Sequence, residues 1–345
     1  MIKNWMRIGV VALVAAVFAS GSVAQEATFN LPGMGGFAVS PDNSTLVVSL
    51  TAKTELVFYD TVAGKETKRV TVEFQPTQMV WSDKVLFVAQ KASGIVHVVD
   101  ASSGKELGAG NAGGPVRNLA VANGICFAST SNREVAAIDA KGKSAKTTAQ
   151  GTFIVASPKG DFVYTVIDGK ATTDVYKYMV KGMELKNTEL YFRSLRTSLI
   201  NVKGVDVSGD GKQFGVIAGG GWSDLDRKRH YSVPIYNTED MKSQLGELET
   251  GAYPCGMAVH PVLPLMFACN GKQGAVFSAK SYAAGQKLTA PREIQGAATP
   301  SVLAFVGKGQ KLAWGTGGDA GVLKFYDLEL TKDQKAEVTK AFSAK

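Results

Sequence analysis

The sequence predicts an all-β protein: a seven-bladed β-propeller of four-stranded antiparallel blades, preceded by a cleaved signal peptide. Three observations predict it. A phrase of short apolar strands and tight turns returns about every 44.5 residues from residue 36 onward. No ten-residue stretch carries the 3.6-residue periodicity of a helical repeat, and the first two dozen residues have the make-up of an export signal. With 38 glycines in 345 residues, 45% hydrophobic and 20% charged, the composition excludes disordered, collagenous and coiled-coil chains.

The leader comes first. Lys3 and Arg7 make a basic start, Ile8 to Ala19 is an uncharged apolar run, and Ser22-Val23-Ala24 offers small residues where a signal peptidase reads. Cleavage is expected before Gln25. The apolar run is well short of the ~20 residues that a membrane-spanning helix needs, and no cysteine follows it for a lipid anchor, so no integral span is expected. A periplasmic or secreted location follows, with residues 25–345 forming one domain. Losing Lys3 and Arg7 lowers the formal net charge from +8 by two. The remaining lysines are scattered, which argues against nucleic acid and leaves an acidic envelope component or a protein as the partner class.

The repeat is clearest in its first copies. Phe37 to Val39 leads into Ser40-Pro41-Asp42-Asn43, then Leu46 to Ser49, then Leu56 to Asp60 before Gly64-Lys65. Met79 to Lys84, Val85 to Ala89 and Val96 to Asp100 with Gly104-Lys105 repeat it, as do Leu119 to Gly124, Ile125 to Ala128 and Val135 to Asp139 with Gly142-Lys143. Weaker copies start their first turns at Ser157, Ser208, His260 and Gly307, which makes seven units. Pro-Asp-Asn and Asp-Gly preset or tolerate the dihedrals of a tight hairpin, and the aspartate closing each third strand is suited to fold back on nearby amides. A four-stranded sheet of this kind buries both faces only by packing on its neighbours, which is what a propeller supplies.

A second signature precedes several first strands: Gln75-Pro76-Thr77-Gln78, Gly114-Pro115-Val116-Arg117, Tyr253-Pro254-Cys255-Gly256 and Thr299-Pro300-Ser301-Val302. Proline, an apolar strand, a Ser-Pro-Asp-Gly-like turn and a strand closing in Asp before Gly-Lys resemble the YVTN family of bacterial and archaeal propeller repeats. The pattern also resembles the heavy subunits of periplasmic amine dehydrogenases and the lactonase-type propellers. The likeness covers nearly all of residues 36–342 and implies the propeller fold; the superfamily holds enzymes, redox subunits and scaffolds alike. For ring closure, residues 327–342 run parallel in pattern to 60–74, so the last unit is expected to carry its own fourth strand, with Ala27 to Leu31 adding an edge or completing that sheet.

Candidate chemistry is sparse. His97, His230 and His260 include no pair at metal-ligand spacing, and neither Cys-x-x-Cys nor His-Glu-x-x-His occurs, so no metal and no cofactor are expected. His97 and His260 read as structural. Cys255 and Cys269 fall opposite one another if the hairpin turns near Val262, a disulfide candidate in an oxidising compartment, while Cys126 reads as a small core residue. The longest loop between second and third strands, Gly219 to His230, carries Trp222, Asp224, Arg227, Arg229 and His230, and the long linker beside it carries Arg193 and Arg196. An aromatic among arginines on neighbouring loops suits recognition of an acidic group or a protein. Gln78 and Arg117, at the starts of innermost strands, are the candidates facing the channel. No catalytic constellation is assigned. The function expected is a non-catalytic, exported scaffold binding a protein or envelope component through one face; the alternatives are an accessory subunit of a periplasmic dehydrogenase and a lactonase-like hydrolase.

Overall fold

Runs such as Leu46-Val47-Val48 and Leu86-Phe87-Val88 are buried at every position, because the middle strands of a blade are covered on both sides by neighbouring blades. Outer strands such as Lys65–Thr71 alternate instead between exposed and half-buried residues. The computed structural model describes residues 25–168, 172–193, 202–218, 221–223, 228–230, 232–249, 254–263, 265–270, 276–279, 293–294, 300–319, 321–328 and 330–343. The leader expected over residues 1–24 lies outside them.

Among the described residues, seven four-stranded antiparallel sheets are present, and they are not all built alike. Six are blades made from one repeat each. Their innermost strands are Met34–Val39, Pro76–Ser82, Val116–Ala122, Phe153–Ala156, Val202–Val207 and Pro254–Val259, and each is followed outward by the next strands in chain order. The fifth blade inserts a separate two-stranded hairpin, Gly221–Ser223 with Lys228–His230, between its second and third strands.

The expectation of seven such repeat-built blades is corrected to six. The last unit supplies only three strands, Pro300–Val306, Lys311–Thr316 and Val322–Asp327, and its outer strand is Gln25–Asn30 from the other end of the chain. Gln25 pairs with Tyr326 and Asn30 with Val322, and Phe29 packs its ring 4.6 Å from Tyr59 of the first blade. The fourth strand expected after Asp327 does not form; residues Lys332–Ser343 are a helix, so the chain is not wholly β. Its start is a capping box: the Gln334 amide donates to Thr331 Oγ1 and the Thr331 amide to Gln334 Oε1. The following Lys-Ala-Glu are good helix formers and show no strand alternation. Among the described residues no helix is long and apolar enough to cross a membrane.

The core lies between sheets. One cluster joins Val47 and Leu56 of the first blade to Leu86 and Val88 of the second; another joins Tyr164 and Val175 of the fourth to Phe214 and Val216 of the fifth. Leu46, Val48 and Tyr59 pack on Val302, Leu323 and Phe325, which fixes the composite sheet to the first blade. Innermost strands follow one another around the central axis, Met34–Val39 beside Pro76–Ser82, then Val116–Ala122, and Pro300–Val306 back beside Met34–Val39.

Candidate functional site

Where an innermost strand begins, its pairing with the second strand slips. Register shifts occur between Met34 and Phe37, Pro76 and Met79, Val116 and Asn118, Val202 and Gly204, Pro254 and Gly256, and Pro300 and Val302. At four of these strands the physical cause is in the proline signature, at Pro76, Pro115, Pro254 and Pro300; Val202 slips with no proline before it. A proline has no amide to give the ladder, so it sits at the strand start and the residues after it bulge. The fourth blade, whose Phe153–Ala156 lacks a preceding proline, pairs without a slip.

Bulges re-aim side chains, and here they form a rim around the axis at one end of the molecule. Gln78 and Arg117 lie in the bulges of adjacent strands and are exposed. Their neighbours are held tightly. Ser49 Oγ donates to Thr77 O at 3.0 Å and accepts from the Gly36 amide at 2.8 Å. A Cβ at Gly36 would lie 2.3 Å from Thr77 O, so only glycine lets the first blade approach the second here. Asn118 Oδ1 accepts from the Ile154 amide at 3.0 Å, tying the third blade to the fourth.

The fifth-blade hairpin and the end of the fourth blade lie at the same end as the rim, since second-to-third connections and inter-blade linkers share it. Trp222 is opposite Arg229 in the hairpin, and Gly221 opposite His230. Asp224, Arg227 and Arg196 lie outside the described residues. Arg193 ends the fourth blade and makes a two-pronged ion pair with Asp174, at 2.7 and 3.0 Å, which holds the guanidinium charged. Its guanidinium is 5.9 Å from the Tyr191 ring, and Tyr191 is exposed. Arg193 is therefore partly spent on its own sheet.

The cysteine pairing follows from the same bulge. The slip at Pro254 leaves Cys255 without a partner in the ladder and sets Cys269 opposite Gly256, one residue from the register expected. The side chains of both lie outside the described residues. Cys126 is buried, and burial pushes its thiol far above the ordinary range. His97 stacks on Phe74 at 3.6 Å. His260 is fully buried: its Nε2–H donates to Gly309 O at 2.7 Å while Nδ1 accepts from the amides of Val262 and Leu263. Burial holds its pKa down to about 4.

One titratable group escaped the sequence reading. Asp206 stands on the innermost strand of the fifth blade, opposite Gly215, where the other units place Ala38, Val80, Ala120, Val155, Ala258 and Ala304. Burial pushes its carboxyl up to about 7, against the amides of Val207, at 2.9 Å, and of Val259 in the next blade, both of which favour the charged form. An acid in a column of small apolar residues was the available signal. Among the described residues no three His, Cys, Asp or Glu side chains gather as a metal site requires.

No known protein family matches the sequence, and no curated protein does. Solved structures match the fold. A chain of a structure titled "Crystal Structure of Mitotic Checkpoint Complex" aligns at 13% identity and a TM-score of 0.68, covering 95% of this chain and 99% of that one. A chain of Kuenenia stuttgartiensis hydrazine synthase aligns at 17% identity and 0.67, covering 84% and 94%. At these identities the likeness shows a β-propeller and nothing of function.

Proposed function

We propose that the protein is an exported, non-catalytic propeller scaffold of the YVTN-like kind that binds a protein partner through the end carrying the bulged rim. The observation that carries this reading is the rim: consecutive bulges present exposed Gln78 and Arg117 at the end that also bears Arg193, Tyr191 and the extra hairpin. Exposed arginine and tyrosine on a rigid scaffold are the residues from which binding hot spots are built. The solved neighbour from a checkpoint complex is itself a chain within a protein assembly, which supports the same use of the fold. Export rests on the basic start and short apolar run of residues 1–24.

The test is native mass spectrometry on protein purified unreduced from its own host. Bound polypeptide mass is expected, and it should be lost from a variant carrying Gln78→Ala, Arg117→Ala and a two-residue turn in place of residues 221–230. The bare chain mass, or a partner retained by that variant, would overturn the assignment. A coloured polypeptide among the bound species would place the scaffold in a redox assembly.

A further inference from the structure

The repeat states what each position normally holds, so a departure from it asks for a reason. Trp81, opposite Leu86, occupies the position filled by Val39 opposite Leu46, Val121 opposite Cys126, Ala156 opposite Val163, Val207 opposite Phe214, Val259 opposite Met266 and Phe305 opposite Leu312, and it is the one indole among them. The indole is only half-buried. It forms the wall of a cleft of about 350 Å³ between the first and second blades, at the end of the molecule away from the rim. That volume is at the small end of ligand pockets, which run from about 300 to 1,000 Å³.

The cleft is held open by bonds already made. Trp81 Nε1–H donates to Asp83 O at 2.8 Å, which fixes the indole plane without using its faces. Phe58 meets the indole edge to face at 6.2 Å. Lys68 lies 4.1 Å over the Phe58 ring and donates to Ala101 O and Ser102 O across the blade boundary, so its charge and the phenyl face are both occupied. Asp100, which also lines the cleft, accepts from the amides and hydroxyls of Ser102 and Ser103, all on Oδ1. Asp83 and Lys84 stand exposed on the rim of the cleft.

We propose that this cleft binds a neutral saccharide ring stacked on Trp81. The two carboxylates and two ammoniums around the cavity balance, so an anionic or a cationic ligand gains no net attraction. What the wall offers is one flat aromatic side chain surrounded by acceptors and donors at its edge, Asp100, Asp83 and Lys84. A sugar ring matches that division, with C–H bonds on one face and hydroxyls around its perimeter. A wholly apolar ligand would strand the edge carboxylates without partners, at a cost in desolvation. The site is separate from the rim and stands whether or not the rim binds a protein.

The experiment uses the full mature chain with maltose and N,N′-diacetylchitobiose as probes, read by saturation-transfer NMR and by tryptophan fluorescence. Binding with a dissociation constant of order 1 mM to at least one sugar is expected, and Trp81→Val, which restores the repeat's own residue, should weaken it at least ~10-fold with the melting temperature retained. If Trp81→Val fails to fold, the surface pair Asp83→Asn with Lys84→Ala should weaken binding in its place. No transfer to either sugar up to about 50 mM, binding that survives these changes, or binding of tetramethylammonium in preference to both sugars would overturn the proposal.

Discussion

The two ends of the propeller solve the same problem differently. At the turn end, side chains close each hairpin and clamp it to its neighbour. Ser40 and Ser208 donate to Asp42 and Asp210 within first turns, Asp60 and Asp139 cap the turns after third strands, and buried or half-buried lysines cross blade boundaries. Lys68 reaches Ala101 O, Lys177 reaches Thr238 O and Lys311 reaches Val62 O. At the rim end the ladder slips, and side chains such as Gln78 and Arg117 are left to solvent. Both ends are clamped across blade boundaries, the rim end through Ser49 and Asn118, but only the rim end also presents exposed Gln78 and Arg117 from its bulges.

The largest expected effect breaks the turn end. His260→Ala removes the bond that joins the sixth blade to Gly309 and the two that close its own turn on Val262 and Leu263, and should cost about 3 kcal/mol in urea unfolding. Its titration has a definite sign. The folded value near 4 lies below the ordinary 6.5, so the unfolded chain binds the extra proton between them. His260 should make stability rise with pH over that window, and the variant should flatten the rise.

Asp206 should work the other way. Its folded value near 7 lies above the ordinary 3.8, so the folded chain holds the proton and stability falls as pH climbs between the two. Asp206→Asn should therefore raise the melting temperature at pH 8 and leave it little changed at pH 3.5; an equal shift at both would refute the assignment. Third in size is Lys177→Met, which gives up the bond to Thr238 O and the contact 4.2 Å over Phe162, at about 1–2 kcal/mol by denaturant midpoint. Smallest for stability is the rim: Gln78→Ala with Arg117→Ala should move unfolding by less than about 0.5 kcal/mol while partner capture is lost. A drop comparable to that of Lys177→Met would show that the rim residues serve the fold.

Local chemistry made much of this architecture legible. Turn residues and the closing aspartates mark the strands because they satisfy amides within a few residues of themselves. The proline signature marked the innermost strands, and its mechanical meaning, the bulge, explains why Gln78 and Arg117 are exposed. One feature could not be read from local spacing: the Thr331-x-x-Gln334 box overrode a strand-like resemblance to residues 60–74. The pairing of Gln25–Asn30 with Val322–Asp327 answers to the expectation that Ala27 to Leu31 adds an edge to that sheet or completes it. The register of Cys269 was missed by one residue because a bulge breaks the symmetry on which hairpin arithmetic depends. Trp81 and Asp206 each needed alignment across units, since either is ordinary alone and unusual only beside its counterparts.

The pairing of Gln25–Asn30 with Val322–Asp327 has a consequence for assembly. The first described strand cannot find its partner until the last has been made, so the ring stays an open arc throughout synthesis, with the face of Leu46, Val48 and Tyr59 that receives Leu323 and Phe325 uncovered. Closure is the slowest step to search for, because it joins the most distant segments of the chain. Once made, it turns two free ends into a clasp, and cutting the peptide backbone at the tip of any turn would leave the circle intact while a cut just after Asn30 would release its buckle.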